Sequence, residues 1–101
     1  MKTRRSSYTK RFHERYGDEA TSLAEIARAS HRDVAPGVSL PTYRRALQTV
    51  FDRGLAAWAT GHRPGASQSA WGFARVHSFV LGGKTRQTAD ADVARRIGAA
   101  S

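Results

Sequence analysis

The chain of 101 residues carries 17 Lys and Arg against 8 Asp and Glu, a net charge of +9, with 40% hydrophobic residues and no cysteine. That length suits one domain, and the composition excludes a collagen, a low-complexity tract and an acidic disordered segment. Without cysteine there is no disulfide, thiolate nucleophile or cysteine-bound zinc; the apolar runs are too short to span a bilayer, and the basic start lacks the apolar stretch of a secretory signal.

Fourteen of the 17 basic residues are arginine. A guanidinium binds phosphate bidentately and stacks on bases, so the bias suits a polyanion partner. A GC-rich genome also favours arginine codons; it accounts for the Arg to Lys ratio but not for the net charge.

Residues 1–6 carry three basic groups and nothing to bury, and read as a flexible basic arm. Residues 7–101 form the single domain. Tyr8, Phe12 and Tyr16 fall at i, i+4 and i+8, one face of a first helix with Lys10, Arg11, Glu14 and Arg15 on its other faces. Gly17 is its natural stop. Ser22 and Glu25 have capping-box spacing, opening a helix to about Ala29 with Leu23, Ile26 and Ala27 inward. A loop is expected over Ser30 to Ser39, with a turn at Pro36-Gly37.

A long helix is expected from Pro41 to Thr60. Leu40, Leu47, Phe51, Leu55 and Trp58 make its apolar face, widened by Tyr43, Ala46, Val50 and Ala57. Arg44, Arg45, Gln48, Asp52 and Arg53 are placed mostly for solvent. Gly54 inside this helix costs about 1 kcal/mol against alanine and allows a close helix crossing or a bend.

A turn at Arg63-Pro64-Gly65 leads to a helix capped by Ser67 or Ser69 that runs to about Leu81. It is apolar on most sides, as a central helix of a small bundle should be. Trp58 and Trp71 sit on helical apolar faces and are read as core anchors rather than base-stacking platforms. Gly82-Gly83 reads as a helix stop. The following Lys84-Thr85 imitates the end of a phosphate loop, but Ser78 stands where the first glycine is required and a helix precedes in place of a strand. Nucleotide hydrolysis is therefore rejected. Thr88 or Asp90 caps a last helix holding Val93 and Ile97, and Arg63 and Arg75 are candidate ion-pair partners for Asp90 and Asp92. The four histidines make no metal-ligand spacing, and the serines fall mainly at caps and loops, so neither a metal, a cofactor nor a catalytic residue is expected.

The two helices Ser22–Ala29 and Pro41–Thr60 also invite a helix-turn-helix reading, with Thr42, Arg44, Arg45 and Gln48 on the recognition helix. About ten residues would connect them, against the three or four of that motif. A plain helical hairpin is the competing description.

Val50, Asp52-Arg53-Gly54, Ala57-Trp58, Arg63-Pro64-Gly65, Trp71, Ala74-Arg75-Val76, Ser78-Phe79, Gly82-Gly83-Lys84, Ala89-Asp90 and Asp92 form a specific combination. Over residues 50–93 the chain resembles a small uncharacterised domain of bacteriophage and large-virus proteins. That resemblance implies a viral, GC-rich setting and no established catalytic residue. The expected fold is all-α, a small bundle of four to five helices with a basic N-terminal arm. The expected function is non-enzymatic binding of DNA or RNA through phosphates, by Arg4, Arg5, Lys10, Arg11, Arg15, Arg44, Arg45, Lys84 and Arg86. The alternative is a small capsid, connector or tail protein working through contacts with other virion proteins. Either role places it in the host cytoplasm or the virion, with no membrane partner.

Overall fold

The computed structural model describes residues 7–61 and 66–99. The basic arm, His62 and the turn at Arg63-Pro64-Gly65 lie outside the described residues. Among those described the fold is all-α, with six helices: α1 (Ser7–Tyr16), α2 (Leu23–Val34), α3 (Leu40–Gly61), α4 (Gln68–Val80), α5 (Lys84–Gln87) and α6 (Ala91–Arg96). The four longer ones match the expected helices; α5 is a single turn where the sequence suggested only a basic segment.

The helix ends follow their local chemistry. Ser22 Oγ accepts from the Glu25 amide at 3.2 Å while Glu25 Oε1 accepts from the Ser22 amide at 3.0 Å, a complete capping box. The Ser22 amide, with that of Thr21 at 3.2 Å, holds the Glu25 carboxyl below its ordinary pKa. Ser67 caps α4 by accepting from the Ala70 amide at 3.1 Å. Gly17 closes α1 at φ +93°, its amide bonding the His13 carbonyl at 2.9 Å. Gly82, at φ +74°, stops α4, and the next amide, of Gly83, reaches back to the Ser78 carbonyl at 2.8 Å.

Helix α2 runs to Val34, five residues beyond the expected Ala29. Ser30, which looks like a loop residue, stays in the helix because its hydroxyl donates to the Ile26 carbonyl at 2.7 Å. With that hydrogen committed, the Ser30 oxygen accepts from the Tyr43 hydroxyl at 2.6 Å. Both residues are fully buried, so the pair fastens α2 to α3 inside the core. Burial pushes the Tyr43 phenol well above the ordinary tyrosine value.

Helices α3 and α4 form the central antiparallel pair. Trp58 meets Ala66, Gly54 meets Gly72, and Phe51 meets Phe73, one number falling as the other rises. At the crossing a Cβ on Gly54 would stand 2.8 Å from Gly72 Cα, and one on Gly72 would stand 2.8 Å from the Phe51 ring. Gly54 therefore serves a close crossing, one of its two expected roles.

The core joins Phe12 of α1, Ile26 and Ala27 of α2, Tyr43, Leu47 and Val50 of α3, Val76 and Phe79 of α4, and Val93 of α6. On α3 the buried positions are Tyr43, Ala46, Leu47, Val50 and Gly54, so three residues read as margins of its apolar face are its centre. Helix α1 seats on α4 by stacking Phe12 on the His77 ring, centroids 4.5 Å apart, and by a 2.9 Å hydrogen bond between Thr9 Oγ1 and His77 Nδ1. The Tyr8 ring packs so closely on Gly83 that a Cβ there would come within 2.7 Å of it.

The tryptophans correct the sequence reading. Trp58 and Trp71 are partly exposed, and neither belongs to the core or to the apolar side chains packed on it. Both lie toward the end of the hairpin from the glycine crossing, and Trp58 Nε1 donates to the Ala66 carbonyl at 2.9 Å.

Candidate nucleic-acid interface

The charged residues fall into two sets that the sequence does not separate. One set faces inward. The Asp90 side chain is fully buried at the start of α6. Arg75 of α4 grips it bidentately, Nε to Oδ2 and Nη2 to Oδ1, each 2.9 Å. Arg53 of α3 donates to Asp90 Oδ1 at 3.1 Å and to both oxygens of Asp92 at 2.8 Å. Its hydrogen bonds to Asp92 and Asp90 raise the Arg53 pKa, and Arg53 holds the Asp92 carboxyl far below the usual carboxylate range. The Arg75 pairing agrees with expectation. Arg53 does not: it is an ion-pair residue joining α3 to α6, not a solvent-facing one, because the chain after α5 brings both aspartates against that side of α3.

Arg86, expected to hold phosphate, also turns inward. Its Nε donates to the Phe79 carbonyl at 2.8 Å, Nη2 to that of Val80 at 2.7 Å, and Nη1 to that of Ala99 at 3.2 Å. It lies 5.6 Å over the Phe79 ring. The guanidinium thus satisfies carbonyls at the end of α4 that have no partner within the helix, and burial lowers its pKa.

The second set faces solvent. Lys10, Arg11 and Arg15 of α1, Arg44 and Arg45 of α3, and Lys84 of α5 are all exposed. Arg11 lies 4.8 Å over the Tyr8 ring. That ring packs on Gly83, next to Lys84. Arg11, Arg15, Glu14 and Leu81 line one open depression, so α1 and the end of α4 bring Arg11 and Arg15 to one side, and Lys84 opens α5 after Gly83. Arg15 is also 3.6 Å from Asp33, an exposed pair of small energetic weight. Asp33 accepts from the Tyr16 hydroxyl at 2.9 Å, and burial, with this hydrogen bond, pushes the Tyr16 phenol up to about 12.

Arg44 and Arg45 form a separate group on the first half of α3. Among the described residues neither has a carboxylate within 4.0 Å; Arg45 bonds the Thr42 hydroxyl at 3.3 Å, and Gln48 bonds Asp52 at 2.9 Å. Arg28 and Arg32 of α2 and Arg95 and Arg96 of α6 are exposed as well. Their polar positions opposite apolar stripes were the available signal for them. Arg4 and Arg5 lie outside the described residues.

The connection between α2 and α3 is residues 35–39, five residues in place of the ten expected, because α2 is longer than its sequence suggests. The backbone thus comes nearer to a helix-turn-helix connection, though α3, at 22 residues, continues well past the length such a helix needs. Among the described residues no group of three or more His, Asp or Glu stands together as a metal site, and no helix is long and apolar enough to cross a membrane.

These features define a small basic all-α domain whose internal arginines join its helices while another set lines its surface. A family model covers residues 1–96, and the chain belongs to that family, described as a family of unknown function (DUF5824). The match takes in the first two helices, which the resemblance over residues 50–93 left uncovered. Neither the curated proteins nor the solved structures contain a match.

Proposed function

We propose that the protein binds nucleic acid without catalysis, in the viral setting its sequence resemblance implies, by holding the phosphate backbone. The interface comprises Lys10, Arg11 and Arg15 on α1, Lys84 on α5 and Arg44 and Arg45 on α3, with the N-terminal basic residues Arg4 and Arg5 as further contacts. The observation that carries this reading is the sorting of the arginines: Asp90 and Asp92 are engaged by Arg53 and Arg75, which leaves the surface cations facing water. Arg44, Arg45 and Gln48, following a five-residue connection, are placed to reach a groove as a helix-turn-helix-like reader.

Mobility shift against duplex and single-stranded DNA and RNA at ~50 mM salt tests the proposal, with affinity expected to fall steeply as salt rises. No binding to any of these polymers removes it. Replacing Arg44 and Arg45 by alanine should lower affinity and reduce the salt slope by about 1 for each phosphate that is no longer neutralised. Unchanged sequence preference in that variant would reject α3 as the reader while leaving backbone binding in place.

A further inference from the structure

Much of what seats α1 on α4 meets at one titratable ring. His77 of α4 is 4% exposed. Its ring stacks on Phe12 with centroids 4.5 Å apart, and Thr9 Oγ1 lies 2.9 Å from its Nδ1. Phe12 is the one buried residue of α1. His13, the next residue, meets the same ring edge-on with centroids 5.4 Å apart.

The other helices are fastened without α1. Ser30 with Tyr43 joins α2 to α3, and Asp90 draws Arg75 and Arg53 together at the start of α6. A helix of ten residues is marginal in water by itself. Helix α1 therefore depends on its seat.

We infer that protonation of His77 releases α1 from α4 while the remaining helices stay packed. A proton on this buried ring sets a cation where water cannot solvate it. Thr9 Oγ1 can accept from the protonated ring, so that bond does not oppose the charge; burial and the neighbouring His13 do. Once His13 is charged too, like charges stand together in a chain of net charge +9. Among the described residues the other charged groups of the surrounding elements are turned out or committed. Lys10, Arg11, Glu14 and Arg15 of α1 and Lys84 of α5 are exposed. Arg75 and Arg53 grip Asp90, Arg86 is bonded to carbonyls, and Asp33 of α2 is taken by Tyr16 and Arg15. Tyr16, whose ring also meets Phe12, stays neutral in acid. In the released helix the rings are hydrated, so the docked state binds fewer protons. Its stability is complete above the ordinary histidine value of about 6.5 and is lost as the pH falls below it.

Hydrogen exchange of the full chain, free of nucleic acid and corrected for the intrinsic effect of pH, tests the inference at about pH 7.5 and about pH 5. The hydrogen-bonded amides of α1 should lose protection by at least about tenfold at the lower value, while those of α2, α3 and α4 keep theirs. The His77 ring signal in a magnetic-resonance titration should change over the same pH interval. His77→Gln retains a side-chain amide that can bond Thr9 but cannot take the proton, so protection of α1 in that variant should not depend on pH. Equal protection of α1 at both pH values overturns the inference. So does loss of protection in every helix together, a His77 ring that stays neutral while α1 opens, or an undiminished loss with pH in His77→Gln.

Discussion

Two regions differ in what their arginines face: the contacts among α3, α4, α5 and α6, and the exposed surfaces of α1 and of the first half of α3. On the first, Arg53 and Arg75 close on a carboxylate with no solvent exposure, and Arg86 closes on carbonyls. On the second, Arg11, Arg44 and Arg45 extend into water. The same residue type joins helices in one place and leaves an exposed positive surface in the other. Where a buried acid or a set of helix-end carbonyls is within reach, the arginine belongs to the fold; where neither is, its charge remains exposed. A count of arginines therefore overstates the binding surface by those held inside.

The largest expected effect falls on the bound side. Asp90→Asn removes the charge that faces both Arg75 and Arg53 and should cost about 3 kcal/mol, at the lower end for a buried pair because Arg53 is one-third exposed. Thermal or urea unfolding measures it, and a loss below about 1 kcal/mol would mean that the network does not hold the helices together. Next, Gly54→Ala places a methyl 2.8 Å from the Gly72 backbone and should destabilise by about 2 kcal/mol despite its better helix propensity. Tyr43→Phe should cost about 1 kcal/mol by leaving the Ser30 hydroxyl without its buried donor.

The pH dependence is a smaller effect for each group. Asp92 keeps a depressed pKa in the fold, so its contribution is complete above the ordinary aspartate value of about 4 and is lost as the pH falls below it. Tyr16 and Tyr43 are stabilised as neutral phenols, so theirs is complete below about pH 10 and declines as the pH rises from there. Melting temperature followed against pH should fall at both ends, and Asp92→Asn should flatten the acid limb. The smallest stability effect belongs to the open side: Arg44→Ala with Arg45→Ala should change stability by no more than about 0.5 kcal/mol. A larger loss would place those arginines with the structural set and erase the contrast.

Much of the fold was legible because its punctuation is local. Ser22 with Glu25, Ser67, Gly17 and Gly82-Gly83 act within one helical turn, and each bounds a helix where its chemistry predicts. Gly54 announced a close approach, although not its partner Gly72. Reading failed where tertiary contact decides. Ser30 is helical because Tyr43 and the Ile26 carbonyl satisfy it. The tryptophans lie on apolar stripes of α3 and α4, yet the buried centre of α3 is Tyr43, Ala46, Leu47, Val50 and Gly54, and periodicity alone does not choose among apolar positions. Long side chains were least legible of all: Arg53, Arg86 and Arg44 occupy similar polar positions in sequence, and only the arrival of Asp90, or of the last turn of α4, distinguishes them.

The lengths of chain spanned by the Asp90 contacts have a kinetic consequence. Its carboxylate joins Arg75 across 15 residues and Arg53 across 37, whereas the α3–α4 pair closes from one short connection. The 37-residue closure to Arg53 is entropically costly early in folding, so the helical hairpin is expected to form first, with the three-way contact at Asp90 completed after the barrier has been crossed. Its interactions then act chiefly as a brake on unfolding. In stopped-flow measurements Asp90→Asn should steepen nothing and shift one limb: unfolding should quicken by most of the lost stability while refolding stays nearly as fast. A refolding rate that falls in proportion instead would put the carboxylate in the folding nucleus.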